Sequence, residues 1–259
     1  MINVSIITIT FNNRTGLKKT SQSVLSQTCT DYEWIIIDGA STDGTQDDFP
    51  LYKTAQITSE PDHGIYDAMN KGIKAATGKY IIFMNAGDQF ATPEILQSVS
   101  EETAGQSFDL VYGDSYEEQE QESPFYKSAK PATSIHHGLF THHQSIFYNR
   151  LSLGELRYDT KYKIAADYDL TLRFLQRHDK ALYIAEPICI YEGGGISQTQ
   201  IELGRHEQYL SRKQAGVPEL ENQIITTKQK AASFLRRLFP NLYWKTRSFI
   251  RGQTPSVGL

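Results

Sequence analysis

Four short apolar runs, rich in β-branched residues, recur in the first third of the chain. They cover Val4–Phe11, Glu33–Asp38, Ala55–Thr58 and Tyr80–Met84. A run that is apolar on both faces is typical of a central strand in a parallel sheet. Between the last two runs, Ile65–Thr77 places its apolar residues on one helical stripe. Strands that alternate with helices predict an α/β fold built on a doubly wound, mostly parallel sheet.

Polar side chains stand where three of these predicted strands end. Ligands bind beyond the carboxyl ends of the strands in such sheets, which indicates Thr10–Asn13, Asp38–Gly44 and Asn85–Asp88 as binding segments. A carboxylate at Asp38 can accept hydrogen bonds from a ribose hydroxyl or a base N–H. Alternatively, Asp38 and Asp43 only cap turns and the following helix.

Asp88 follows the fourth predicted strand directly. An acid at that point can hold Mg²⁺ or Mn²⁺, because both ions prefer oxygen ligands and a bound diphosphate can complete their coordination. Alternatively, Asp88 caps a helix that starts near Thr92.

Two acids, Asp167 and Asp169, lie at the start of a helix predicted over Asp167–Arg177. An Asp in a partly dry, aromatic-flanked position can act as a general base. Alternatively, both acids only complement the helix dipole. Five histidines lie between residues 136 and 178, in a spacing that matches no zinc pattern. His143 precedes a strand predicted over Ser145–Tyr148 and is the histidine expected near the acceptor or the metal.

The remaining segments are less regular. Residues 115–123 are acidic and polar, and we predict an exposed loop there. Leu182–Ala185 and Ile188–Tyr191 are predicted as separate short strands, and Gly193–Gly195 as a flexible turn.

Charge is distributed unevenly along the chain. Residues 1–221 contain 19 basic and 30 acidic residues, a net charge of −11, whereas seven Lys or Arg and no acid follow Glu221. Ala231, Phe234, Leu235 and Leu238 recur at helical spacing, and an aromatic, basic piece follows Pro240. This composition predicts an amphipathic tail that binds an anionic membrane surface. Alternatively, the tail helix packs on the body or on a second subunit.

Other features of the chain favour a cytoplasmic location. Cys29 and Cys189 are too few for a disulfide framework and are expected to be reduced thiols. The run Val4–Ile9 does not have the composition of a signal peptide, and no apolar stretch is long enough to span a membrane.

Taken together, these motifs resemble the family 2 glycosyltransferases, which have the GT-A fold. The resemblance extends over about residues 3–200 and is closest to the branch found in bacterial O-antigen, capsule and colanic-acid-type gene clusters. The segments that carry it are Ser5–Asn12, Trp34–Thr45, Glu60–Gly72, Asn85–Asp88 and Ala166–Leu170.

The resemblance implies roles for single residues. Asp167 matches the catalytic base of the family, and Asp88 matches its metal ligand, with Mn²⁺ or Mg²⁺ as the cofactor. Asn85 and Gly87 stand where the family usually has acids, and Ala166 where it has Glu. The residues that would bind the donor are Thr10, Asn12, Asp38, Asp43, Asp62, Asn70 and Asp88.

The resemblance also implies a reaction. An inverting transferase would move a sugar from a UDP-sugar to an undecaprenyl-diphosphate-linked saccharide at the inner face of the bacterial plasma membrane. Residues 1–221 would form the GT-A domain and residues 222–259 the basic tail, with no nucleic-acid partner.

Two alternatives remain open. A nucleotidyltransferase would need a Gly-rich, Arg-containing phosphate loop after the first strand, which Phe11–Gly16 matches poorly. A degenerate domain that binds nucleotide-sugar without catalysis would account for the replaced acids.

Overall fold

The computed structural model describes residues 3–118, 124–195 and 199–238. Two compact units are present: Met1–Gln208 and the unit that begins at Tyr209. The predicted boundary after residue 221 stays a prediction, and it would lie within a continuous helix.

The first unit contains the strands. Their bounds are β1 (Val4–Thr10), β2 (Tyr32–Asp38), β3 (Ala55–Ser59), β4 (Tyr80–Phe83), β5 (Gln89–Phe90), β6 (Leu110–Glu117), β7 (Phe125–Lys127), β8 (Ile146–Asn149) and β9 (Ala181–Tyr191). The helices are α1 (Arg14–Leu25), α2 (Ile65–Ala75), α3 (Ile95–Glu102), α4 (Arg150–Leu153), α5 (Ala166–Leu175), α6 (Ile201–Gln214) and α7 (Glu219–Leu238). Short 3₁₀ helices cover Thr45–Leu51, Ala132–His137 and His143–Ser145.

In the described part of the chain, the nine strands form one sheet in the order β3-β2-β1-β4-β8-β6-β9-β5, with β7 paired to β6. β1 pairs in parallel with β2 and β4, β2 with β3, and β6 with β9. β8 runs antiparallel between β4 and β6, so those two strands point the same way. Six strands therefore share one direction, and the predicted mostly parallel α/β sheet is confirmed.

Burial explains why these runs are strands and helices. All seven residues of β1 are buried, as expected for a strand with neighbours on both sides. α2 buries one face, with Tyr66, Met69 and Ile73 turned inward. A Cβ at Gly72 would overlap the side chain of Ile7, so glycine allows α2 to pack closely on β1.

Two predicted details are wrong. Ser115–Glu117 is not a loop but the end of β6, and Ser115 is fully buried because β7 and β9 pair on either side of it. The predicted pair Leu182–Ala185 and Ile188–Tyr191 is one continuous strand, β9, whose register against β6 shifts around Asp114.

The second unit contains the end of α6 and all of α7. Arg212 is buried and donates to the side chains of Asn222 and Thr226, 2.7 and 3.1 Å away. On α7, Leu220, Ile224, Phe234, Leu235 and Leu238 are exposed. The predicted aromatic, basic piece after Pro240 lies outside the described residues, and no helix within those residues is long and apolar enough to cross a bilayer.

Candidate active site

The loop after β4 is held by side chains of the first helix and the turn before it. The Thr20 hydroxyl donates to the backbone oxygens of Asp88 and Asn85, 2.7 and 3.0 Å away, and accepts from the Gly87 N–H at 2.9 Å. Asn13 donates to the carbonyl of Ala86 at 3.1 Å. These hydrogen bonds therefore hold the loop in place at the carboxyl end of β4.

Asp88 points into the protein from that loop and is 4% exposed. Its Oδ1 accepts from the Glu192 N–H at 2.9 Å, and its Oδ2 accepts from Gln144 Nε2 at 2.7 Å. Burial, and to a smaller extent the Glu192 carboxylate, raise the pKa of Asp88 to about 6 against the lowering effect of both hydrogen bonds and of His143. The structure thus keeps a carboxylate where ionisation is unfavourable, an arrangement common at functional sites. Asp88 does not cap α3, which begins at Ile95.

Asp167 lies in the first turn of α5, as predicted, and its Oδ1 accepts from the Tyr168 N–H at 2.7 Å. Its Oδ2 lies 3.5 Å from His143 Nδ1. The other ring nitrogen of His143 lies 3.3 Å from Asn85 Nδ2. If the Asn85 amide donates to Nε2, the proton of a neutral His143 is on Nδ1 and faces Asp167.

His143 and Gln144 join the two acids. These consecutive residues lie in the 3₁₀ helix His143–Ser145, and they contact Asp167 and Asp88 respectively. One short backbone segment therefore contacts both the predicted base and the predicted metal ligand, which lie far apart in the sequence.

Glu207 of α6 supports the chain just before α5. Its carboxylate is buried and accepts from the backbone N–H groups of Lys163, Ile164 and Ala165 at 2.7, 2.8 and 2.8 Å. These bonds fix the entry into α5 and thereby the position of Asp167. Nothing in the local sequence indicates this role, because the partners are backbone groups of another segment.

The turn after β2 is tied to the end of β1. Asn12, whose φ of 48° is left-handed, donates its N–H to Ser41 Oγ and accepts from the Thr42 N–H, both at 2.8 Å. Asp38 is fully buried; its carboxylate accepts from the Ser41 hydroxyl and from Ser59 Oγ at 2.6 Å. In this structure Asp38 therefore orders the turn.

Asp43 is exposed in the same turn. It accepts from Thr45 Oγ1 at 2.5 Å and from the Arg14 N–H, the first of α1, at 3.1 Å. These hydrogen bonds, with that of Thr45 the largest, lower the pKa of Asp43. The Thr45 contact is the turn capping named as the alternative role of Asp43, whereas the helix that it contacts is α1, which precedes it, and not the following helix.

The other predicted donor residues are placed differently. Asp62 accepts from the Gly64 N–H at 2.9 Å and packs against Gly39 in the turn after β2. Asn70 exchanges hydrogen bonds of 3.0 and 2.9 Å with the backbone of Tyr158. Thr10 is buried, and its hydroxyl has no hydrogen-bond partner among the described residues.

The described residues near Asp88 offer oxygen ligands for a divalent cation but do not complete its coordination shell. No group of three His, Cys, Asp or Glu suited to a metal is present among the described residues. Asp88 retains lone pairs beyond its two hydrogen bonds, and within the described chain the buried oxygens Asn85 Oδ1 and Gln144 Oε1 lack partners. Such a set fits Mg²⁺ or Mn²⁺ when donor phosphates complete the shell.

The raised pKa of Asp88 predicts a pH-dependent stability. The folded protein binds the proton more tightly than the unfolded chain, so the stability that Asp88 contributes is present below about pH 4 and lost as the pH rises through about 6. Without metal, the unfolding free energy of the wild type relative to Asp88→Asn should fall by about 3 kcal/mol between pH 4 and pH 7. Urea unfolding of both proteins across this range measures the change, and a constant difference would contradict it.

Comparisons with known proteins show the family and the fold of this chain. The family described as glycosyl transferase family 2 matches residues 5–177. A PGL/p-HBAD biosynthesis glycosyltransferase of Mycobacterium bovis (strain BCG / Pasteur 1173P2) is 32% identical over 210 residues, which cover 76% of this chain and 80% of that protein.

Solved structures show the same fold. S. aureus TarS 1–349 in complex with UDP superposes with a TM-score of 0.67 at 17% identity, over 92% of this chain and 72% of that chain. Glucosyl-3-phosphoglycerate synthase from Mycobacterium tuberculosis, solved with Mn²⁺, UDP and glucosyl-3-phosphoglycerate, gives a TM-score of 0.61 at 14% identity, over 84% and 81% of the two chains. The sheet, its flanking helices and the family match lead to one conclusion: this chain belongs to glycosyl transferase family 2 and has the GT-A fold.

Proposed function

We propose that this glycosyltransferase inverts the anomeric centre as it moves a sugar from a UDP-sugar to a lipid-diphosphate-linked saccharide. The observation that carries the proposal is the contact of His143 with Asp167 and of Gln144 with Asp88. An acid suited to deprotonation and an acid suited to a diphosphate site are thereby contacted by two consecutive residues.

The donor nucleoside binds at the turn after β2. Asn12 and Asp43 are exposed there, and Asp62 packs beside them against Gly39. Asp38 serves this site by ordering Ser41, and Thr10 offers a hydroxyl that lacks a partner among the described residues. Asn70 acts indirectly, since it holds the backbone at Tyr158. UDP is the proposed nucleotide because TarS and the mycobacterial synthase were solved with it.

The diphosphate lies at the loop after β4. Asp88 would hold Mn²⁺ or Mg²⁺ there, and such an ion neutralises the charge that develops on a leaving diphosphate. The Mn²⁺ bound to the mycobacterial synthase supports this choice of ion. The fixed backbone of the loop keeps Asp88 in one place as the leaving group departs.

Asp167 acts as the base. It removes the proton of the acceptor hydroxyl while that oxygen attacks the anomeric carbon, so an α-linked donor yields a β-linked product. His143 stands beside Asp167 Oδ2 and orients it. One displacement with one base requires no covalent intermediate.

Turnover of a panel of UDP-sugars tests this proposal. The acceptors are lipid-diphosphate GlcNAc and GalNAc, and each assay is run with and without Mn²⁺. We expect one donor to be consumed with stoichiometric release of UDP. A protein that binds UDP-sugar but transfers nothing to any acceptor would instead support the degenerate binding domain.

The acceptor and the pathway are inferred from the tail. The exposed apolar residues of α7 and the basic residues that follow Glu221 suit an anionic membrane, as at the inner face of the bacterial plasma membrane. A peripheral enzyme at that surface could use undecaprenyl-diphosphate-linked acceptors for O-antigen or capsule.

Deletion of residues 224–259 tests the membrane role. Each Lys or Arg near an anionic surface contributes about 1 kcal/mol, so the full chain should sediment with phosphatidylglycerol vesicles and the truncated chain should not. Neutral phosphatidylcholine vesicles are the control for charge, and thermal unfolding checks that the body is intact. Continued sedimentation of the truncated protein would contradict this role.

A further inference from the structure

Glu192 follows β9 and covers the loop that carries Asp88. Its backbone N–H donates to Asp88 Oδ1 at 2.9 Å. Its side chain lies directly over Gly87: a Cβ built there, where φ is +110°, would overlap Glu192 Oε2 and lie 2.5 Å from the carboxyl carbon. The Glu192 carboxylate therefore occupies the space that a side chain at residue 87 would enter.

Two buried amide oxygens, one in this loop and one on a residue that contacts Asp88, lack hydrogen-bond partners in the described chain. Gln144 is 1% exposed and donates to Asp88, while its own Oε1 has no hydrogen-bond partner in the described chain. Asn85 Oδ1 is likewise buried and, within the described residues, unpartnered. Burial of such acceptors is unfavourable unless a donor or a cation binds them.

One cation of the protein already approaches Glu192. Lys19 Nζ lies 4.0 Å from Glu192 Oε1 and also contacts the Glu118 carboxylate. Glu192 itself is 44% exposed, so its carboxylate can be reached from solvent. An exposed carboxylate beside a buried one suits an ion that enters from solvent together with a diphosphate.

We propose that Glu192 is the second carboxylate of the cation site and supplies from β9 the acid that Gly87 lacks. This inference rests on the proposed function, because the diphosphate of the donor would complete the coordination. Asp88 and Glu192 would both hold the ion at this loop, and the Gln144 amide oxygen, which lacks a partner among the described residues, would bind it directly or through water.

A different role would give the opposite result. Glu192 could act only as an anionic plug that repels the diphosphate until it moves aside. A plug predicts that neutralising Glu192 leaves Mn²⁺ affinity at saturating UDP unchanged or raises it, whereas a ligand predicts that neutralising Glu192 weakens Mn²⁺ binding.

Electron paramagnetic resonance of Mn²⁺ distinguishes these roles. Mn²⁺ is titrated into the full chain at saturating UDP, for the wild type, Glu192→Gln and Glu118→Gln. The Glu118→Gln protein is a matched control, because it loses one negative charge beside the same Lys19. We expect Mn²⁺ affinity to fall about tenfold or more in Glu192→Gln and to stay within about twofold in Glu118→Gln.

Two outcomes would overturn the inference: unchanged or tighter Mn²⁺ binding by Glu192→Gln, or equal weakening of Mn²⁺ binding in both variants. Thermal unfolding of each variant, together with UDP titration without metal, verifies that the variants are folded. If the proposed function itself is wrong, the result is distinguishable, because the wild type would then bind no UDP and transfer no sugar.

Discussion

Replacing Asp167 by Asn will lower kcat for sugar transfer by about 10²–10⁴-fold, the usual contribution of a general base. Asparagine is nearly the same size, and its amide oxygen can keep the contact with the Tyr168 N–H, but it cannot accept the acceptor's proton. UDP binding should therefore be unchanged. Single-turnover transfer and calorimetric titration of UDP measure the two quantities separately.

A control separates this role from the helix-dipole alternative. Glu202 is also an acid in the first turn of a helix, and it is exposed. If Asp167 only complements the helix dipole, Asp167→Asn and Glu202→Gln should each lose about 0.3–1 kcal/mol of stability and little activity. Full activity in Asp167→Asn would remove Asp167 from the mechanism.

Replacing Glu207 by Ala will destabilise the protein by about 3–5 kcal/mol. The change removes a buried carboxylate and leaves the N–H groups of Lys163, Ile164 and Ala165 without their acceptor. At this chain length, the melting temperature should fall by about 10 °C. Differential scanning calorimetry measures the shift.

Activity should fall in the same variant, because displacement of the entry into α5 moves Asp167 from its working position. We expect kcat to fall about tenfold at a temperature where the variant is still folded. The control is Glu202→Gln, on the same helix but exposed, which should change stability by no more than about 1 kcal/mol. A melting temperature equal to that of the wild type would show that the three hydrogen bonds are dispensable.

Much of the sheet could be predicted because its signal is local. β1, β2 and β4 read as apolar runs, since strands buried on both faces need apolar side chains throughout. The end of β6 could not be recognised in the same way. Its residues Ser115–Glu117 are polar, and they are strand because β7 and β9 pair with them, a cause that lies outside the segment.

The residues of the site also fall into those that the local sequence identifies and those that it does not. Motifs beside strand ends identified Asp88, and the start of a helix identified Asp167 as candidates. The residues that hold these two acids in place come from other segments. Gln144 donates to the Asp88 carboxylate, and Glu207 accepts from backbone amides just before α5. No spacing rule relates such partners, so single-sequence reasoning does not find them.

The 3₁₀ helix His143–Ser145 also makes the two acids energetically interdependent. We expect a donor that displaces Gln144 from Asp88 to disturb the 3₁₀ helix that also carries His143, and with it the hydrogen-bonding environment of Asp167. Substitutions at Gln144 and Asp167 should therefore be non-additive in a double-mutant cycle, as for residues that share one network. Donor recognition and acceptor activation would then be one cooperative event, in which a correctly seated nucleotide aligns the base before the acceptor arrives.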